Sequence, residues 1–250
     1  MAKRLGQHFL TSPAIARKIA QFAKIEDRVV VEIGAGKGML TRHLAHYARE
    51  VFAIEIDPEL ALRLKQKNLP NVTVLNQDFL KTDIAQFKGC VIVGNIPYYI
   101  TTLILEKLIS ERQFFDKAIL TVQKEYGARL IAKPGTSFYG SITLYVNYYL
   151  TVRKGFLIPA RFFSPQPRVS AMVIALGKKP IISSVKSEEE FFRFIQGVFR
   201  YRRKHLKNSL SYYLGFVPEN LDESIARKRP VDLELKDFEY LYHLVYEKYP

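Results

Sequence analysis

Short runs of apolar, mostly β-branched residues punctuate the first two-thirds of the chain, separated by stretches with an apolar residue at every third or fourth position. Val29–Ile33, Val51–Asp57, Val72–Leu75, Cys90–Val93 and Ala118–Val122 show little of the polar alternation of a half-exposed strand, which predicts strands buried on both faces. A first helix over Pro13–Ala23 presents Ile15, Ile19 and Phe22 on one side, with Ser12 as its N-cap and Pro13 in its first turn. Leu40, Leu44 and Tyr47, then Leu60, Leu64 and Lys67, then Thr101–Ile109 repeat the helical spacing. Strand and helix in alternation predict an α/β fold built on a mostly parallel sheet.

Two later strands, Val152–Ile158 and Val169–Leu176, are joined by Pro159–Pro167, too short for a crossover helix, so they are expected to pair antiparallel at the sheet edge. The helical spacing of Ile142, Tyr145, Val146 and Tyr149 predicts a core-facing helix before them. Beyond Gly177–Pro180 the strand pattern stops and only helical patterns follow. This predicts an α/β domain over residues 1–180 and a small all-helical domain over 181–250.

The strand ends carry the candidate chemistry, as open α/β sheets place ligands there. Val29–Ile33 breaks into Gly34-Ala35-Gly36-Lys37-Gly38, a loop that lets the backbone approach a ligand. Met39 stands where a dinucleotide fingerprint has its third glycine, so a ligand without a pyrophosphate is favoured over NAD, and S-adenosylmethionine is the natural choice. A plain strand-to-helix turn fits the same glycines, and the motif alone leaves both readings open. Glu55, about 20 residues beyond Gly34, is placed to accept both ribose hydroxyls, with Ile56 beside it. Asp57 reads as the N-cap of the next helix. Asp78 is a candidate acceptor for an adenine amino group, with an Asx turn as the alternative, and Phe79 would line the pocket.

The fourth strand leads into Gly94-Asn95-Ile96-Pro97-Tyr98-Tyr99. An exocyclic purine amine is a poor nucleophile, because its lone pair is delocalised into the ring. Asn95 offers a side-chain carbonyl and Ile96 a backbone carbonyl to hold it; Pro97 fixes φ and brings no competing N–H, and Tyr98 offers a stacking face. Phe163, in the proline-rich loop, either closes the second face of a base pocket or buries itself.

Net charge then narrows the partner. Against 24 acidic residues stand 38 Lys and Arg, a balance of +14 that indicates a polyanion, nucleic acid first and an anionic membrane surface second. No apolar window approaches the roughly 20 residues of a spanning helix. The N-terminal basic arm, with Lys3 and Arg4, lacks the apolar core of a signal peptide, so a cytoplasmic location is expected. Phe9 and Leu10 suggest that this arm docks. Cys90 is the only cysteine and falls in an apolar strand, which predicts a buried, inert thiol, and no ligand-spaced histidines point to a metal. In the helical tail, Arg200, Arg202, Arg203, Lys204 and Lys207 cluster around Tyr201, and Arg227-Lys228-Arg229 adds a second cluster, both candidates for phosphate contact.

Taken together, Gly6-Gln7-His8-Phe9-Leu10, Glu32-Ile33-Gly34-Ala35-Gly36, Asn95-Ile96-Pro97-Tyr98, Phe163–Val169 and Arg202–Leu210 resemble the small-subunit ribosomal RNA adenine dimethyltransferases, the kasugamycin-sensitivity methylases. The resemblance runs nearly end to end. The Asn-Ile-Pro-Tyr element is shared with other N6-adenine methylases, whereas the Arg-Arg-Lys segment ending in Asn-Ser-Leu sets this family apart from the erythromycin-resistance methylases of large-subunit RNA.

The resemblance implies a Rossmann-like class I methyltransferase sheet and a cofactor site of His8, Leu10, Gly34, Glu55, Asp78 and Asn95, to which the reading of the strand ends adds Gly36, Ile56 and Phe79. It also implies two methyl additions to each of two adjacent adenosines near the 3′ end of small-subunit RNA, with S-adenosylhomocysteine as product. The expected partner is small-subunit RNA or its precursor particle, met by a monomer. His8 stands where many relatives carry Asn. Two rival readings are a large-subunit RNA methylase of the erythromycin-resistance type and a non-catalytic ribosome-assembly factor.

Overall fold

The computed structural model describes residues 7–181 and 184–246. Nine strands and ten α-helices are present among them. In chain order the first part contains β1 (Phe9–Leu10), α1 (Pro13–Ala23), β2 (Val29–Ile33), α2 (Met39–Tyr47), β3 (Glu50–Glu55), α3 (Pro58–Lys65), β4 (Val72–Asn76), β5 (Cys90–Asn95), α4 (Thr101–Ser110), β6 (Phe115–Gln123) and α5 (Lys124–Leu130). Then come α6 (Ser141–Tyr149), β7 (Leu150–Ile158), β8 (Phe163–Ser164) and β9 (Ala171–Lys178), followed by α7 (Glu188–Phe199), α8 (Leu206–Leu214), α9 (Glu223–Ala226) and α10 (Leu235–Tyr246).

Seven strands form one sheet in the order β4-β3-β2-β5-β6-β9-β7. The first five run parallel, and β9 pairs antiparallel with both β6 and β7, as the short linker before β9 requires. The order reverses between β2 and β5, so the loops after β2, β3, β4 and β5 open at one end of the sheet, where a crevice forms. The apolar runs are buried as their composition demands: Val30, Val31, Val91, Ile92 and Val93 are inaccessible. Against one face, Ala16, Ile19, Ala20 and Ala23 of α1 pack with Leu40 and Leu44 of α2.

Local caps agree with the sequence. Ser12 Oγ accepts from Ile15 N, and Asp57 Oδ1 accepts from Glu59 N and Leu60 N, each satisfying donors that a helix start leaves open. The sequence does not reveal a second, two-stranded sheet, in which β1 pairs antiparallel with β8 (Phe9 opposite Ser164 and Leu10 opposite Phe163).

The chain divides into two compact units: residues up to Gly127 with Leu150–Lys178, and Ala128–Tyr149 with the residues from Lys179 onward. A boundary at 180 therefore marks only one of the crossings, because Ala128–Tyr149 belongs with the C-terminal helices. Its tyrosines explain why. Tyr148 and Tyr149 donate to the two carboxylate oxygens of Glu188, at 3.1 and 2.7 Å, and Tyr139 donates to the Leu233 carbonyl at 2.8 Å. Phe191, Phe194 and Phe238 are fully buried in the same unit, so its core is largely aromatic. Among the described residues no helix is long and apolar enough to cross a membrane.

Candidate active site

The loop after β2 is left-handed at Gly34, Gly36 and Gly38, with φ of 68°, 55° and 76°. At Gly36 a second constraint adds to the first: a Cβ would stand 2.9 Å from Cδ1 of Phe9. Gly34 N and Ala35 N donate to the Ile54 carbonyl, which ties the loop to β3. Glu55 completes the tie, for its Oε2 accepts from Gly36 N at 2.7 Å and its Oε1 from Asp57 N at 2.9 Å. The carboxylate is buried and aimed by two backbone amides, with lone pairs left for a ligand's hydroxyls.

Asp78 follows β4. Its Oδ1 accepts from Leu80 N at 2.9 Å, so the Asx turn is present, and the residue borders the cavity as well. At the end of β5 the Asn95 side chain is oriented by one bond: Nδ2 donates to the His8 carbonyl at 2.9 Å, which points Oδ1 the other way. Ile96 N donates to the Thr121 carbonyl, and the Ile96 side chain is buried, so its backbone position is set from two directions. Among the described residues neither Asn95 Oδ1 nor the Ile96 carbonyl accepts a hydrogen bond.

Tyr98 is half-buried, its ring 5.9 Å from the His8 imidazole and tilted by 36°. Burial, then the charge of Glu125, raises its phenol above the ordinary value, so the ring is neutral at any working pH. His8 Nδ1 in turn donates to the Pro165 carbonyl at 2.6 Å.

One cavity collects His8, Gly34, Gly36, Glu55, Ile56, Asp78, Phe79, Asn95, Ile96, Pro97, Tyr98 and Phe163. Leu10 is set apart: its side chain is in the core and borders a smaller adjoining cavity together with Glu32. Phe163 is 4% exposed within the core and also lines the main cavity. Phe9, Gln77, Leu80 and Tyr99 also line the cavity and were not anticipated there. Phe9 carried a signal in its place between His8 and Leu10, but its contact with Gly36 depends on β1 pairing.

Glu32, in the middle of β2, is 1% exposed. Burial, with the Glu55 charge adding to it, pushes its carboxyl from 4.5 up to about 8, while Thr41 opposes the rise. Neither Glu32 Oε2 nor Thr41 Oγ1 reaches a hydrogen-bond partner of good geometry among the described residues. Cys90 is buried and its thiol is pushed up to about 12, an unreactive state. No group of three metal-ligating side chains occurs among the described residues.

The basic residues of the tail lie in the second unit. Arg200, Arg203, Lys204 and Lys207 are exposed, whereas Arg202 is half-buried and donates to the Ser137 carbonyl at 2.9 Å. Of the second cluster, Arg227 pairs with Glu223 at 3.6 Å. Lys3 and Arg4 lie outside the described residues.

A glycine loop, an acid at the tip of the next strand and an acceptor-bearing Asn-Ile-Pro-Tyr loop, all at one end of this sheet order, define a class I methyltransferase. The family model of ribosomal RNA adenine dimethylase matches residues 1–242. The chain is 40% identical over 233 residues to ribosomal RNA small subunit methyltransferase A of Streptococcus pneumoniae, covering 88% of this chain and 80% of that protein. Among solved structures it resembles a dimethyladenosine transferase from Plasmodium falciparum, at a TM-score of 0.78 and 30% identity over 96% of this chain and 97% of that one. It also resembles the 23S rRNA methyltransferase ErmE, at 0.68 and 26%, over 93% and 98%. The chain belongs to the ribosomal RNA adenine dimethylase family, and is an rRNA adenine dimethyltransferase.

Proposed function

We propose that the chain methylates the N6 of two adjacent adenosines near the 3′ end of small-subunit ribosomal RNA, twice each, and converts S-adenosylmethionine to S-adenosylhomocysteine. The small-subunit assignment is supported by the streptococcal relative, whose name specifies that subunit. The observation that supports the chemistry is the bond from Asn95 Nδ2 to the His8 carbonyl, which leaves Oδ1 as the open acceptor of a residue that lines the cavity together with Ile96.

The residues present fit the cofactor. Gly36 keeps the loop clear of a Cβ, Glu55 is held to accept ribose hydroxyls, and Asp78 and Phe79 border the space expected for the adenine. The cofactor supplies a methyl group on a positively charged sulfur, an electrophile ready for a nitrogen lone pair. Asn95 Oδ1 and the Ile96 carbonyl accept the two N6 hydrogens, which frees the lone pair from the ring and aims it. S-adenosylmethionine, when bound, would supply the methyl group and would keep the electron pair of the bond it gives up, so the chain's own part is to hold and aim N6. Positive charge then develops on N6, the two acceptors stabilise it, and a proton leaves for solvent. Tyr98 stacks on the extruded base, a contact worth roughly 1–3 kcal/mol. The monomethylated amine keeps one hydrogen, so the second transfer relies on a single acceptor.

Phosphate contact falls to Lys3 and Arg4 of the arm and to Arg200, Arg202, Arg203, Lys204 and Lys207 of the tail. The enzyme acts as a monomer on the precursor particle in the cytoplasm. The test is labelled methyl transfer to under-methylated small-subunit particles, with large-subunit RNA alongside and Asn95→Ala as control. Dimethyl product confined to small-subunit adenosines, abolished in the variant with RNA affinity kept, is expected. Transfer to large-subunit RNA would reassign the target, and tight particle binding without any transfer would favour an assembly factor.

A further inference from the structure

Helix α8 divides its two adjacent tyrosines between inside and outside. Leu206, Ser209 and Leu210 face the core of the helical unit, and Tyr213 turns inward over Gly197 and Phe194. Tyr212 is left 60% exposed, and it is not alone. Its ring stacks on Tyr201 from the turn after α7, with centroids 5.1 Å apart and planes 24° from parallel. The stack restricts the exposed ring before any ligand arrives, which lowers the entropy lost on binding.

The segment that carries both rings is itself basic. From Arg200 to Gly215 the chain holds Arg200, Arg202, Arg203, Lys204 and Lys207 and no acidic residue. Lys204 Nζ lies 5.9 Å from the centre of the Tyr212 ring, at the outer limit of a cation–π contact, so an incoming ring can displace it onto a phosphate. A phosphate alone has no use for an aromatic face, and a lipid surface would call for aliphatic side chains beside the tyrosine. A nucleotide uses both features, since every base has a π-face and every linkage an anion.

We propose that Tyr212, backed by Tyr201, is a docking platform for an unpaired RNA base, separate from the base that receives the methyl groups. This rests on the RNA reading above. Such a platform gives the helical unit a means of telling looped RNA from plain duplex, which charge alone does not supply.

Binding of the full chain to two labelled RNAs of equal length, an adenosine-rich hairpin loop and a fully paired duplex, separates the possibilities. Tyr212→Ala should lower affinity for the loop RNA about tenfold and leave both duplex binding and the salt slope unchanged. Tyr212→Phe should stay within about twofold of the parent. Unchanged loop binding in Tyr212→Ala, or equal losses in the Ala and Phe variants, overturns the platform. If the parent chain binds neither RNA, the RNA reading fails first. The chain contains no tryptophan, so Tyr212→Trp places a single indole at the site, which can be excited apart from the tyrosines. Loop RNA should quench it and duplex should not; a response only to phosphatidylglycerol vesicles would assign the patch to membranes instead.

Discussion

Glu32 offers a prediction whose size follows from its position. The carboxyl is 1% exposed in the second strand and is pushed to about 8 by burial first and by Glu55 second. Unfolded, it ionises near 4.5. Between these two pH values the folded chain holds one proton more than the unfolded chain, so stability must fall as pH rises. The slope approaches about 1.4 kcal/mol per pH unit, and the full interval amounts to about 5 kcal/mol as a ceiling. Stability from this group is complete below 4.5, declines through the interval and is flat above about 8. Glu32→Gln removes the titration while keeping the shape, and the other groups that titrate in this range cancel in the difference between variant and parent. Urea unfolding followed by circular dichroism at pH 5 to 9 should show the variant gaining on the parent by at least about 2 kcal/mol between pH 5 and pH 8. A difference that stays constant across that range would refute the buried, protonated carboxyl.

Three further outcomes are expected. Gly36→Ala should weaken S-adenosylmethionine binding at least about tenfold by titration calorimetry, because its φ of 55° strains a side chain and the new Cβ meets Phe9; unaltered affinity would mean that the loop tolerates a side chain there. Tyr98→Ala should slow turnover about tenfold or more while Tyr98→Phe largely spares it, since the phenol is neutral and the ring does the stacking. Equal damage from both would assign the role to the hydroxyl. Replacing Arg202, Arg203 and Lys204 together by Gln should reduce the salt slope of RNA binding by about 2, and an unchanged slope would clear that cluster of phosphate contact.

The parts of the site that follow the strand ends were legible in the sequence because they are local. Gly34 to Gly38, Glu55, Asp78 and Asn95 each announce themselves by residue type just past an apolar run, and the parallel sheet brings those ends together by topology alone. What escaped depends on long-range pairing. Two-residue strands have no alternation to detect, so the union of Phe9–Leu10 with Phe163–Ser164, and with it the contact of Phe9 on Gly36, was invisible. The spacing of Ile142, Tyr145, Val146 and Tyr149 marked a core-facing helix, which is α6, but gave no sign of which core, because the bonds to Glu188 and Leu233 span many residues. Glu32 read as one residue of a glycine-loop motif; its isolation appears only when the neighbours on every side are counted.

The small sheet of β1 and β8 sets a schedule for the protein's own birth. Its two strands, together with the bonds from His8 to Pro165 and from Thr11 to Phe162, join positions more than 150 residues apart. The arm that carries His8 thus leaves the translating ribosome long before its partner exists, while the glycine loop, Glu55 and Asn95 have all emerged. A nascent chain halted short of Phe163 owns nearly every polar group of the site yet cannot seat the arm on which Asn95 depends. Competence arrives late in synthesis and all at once.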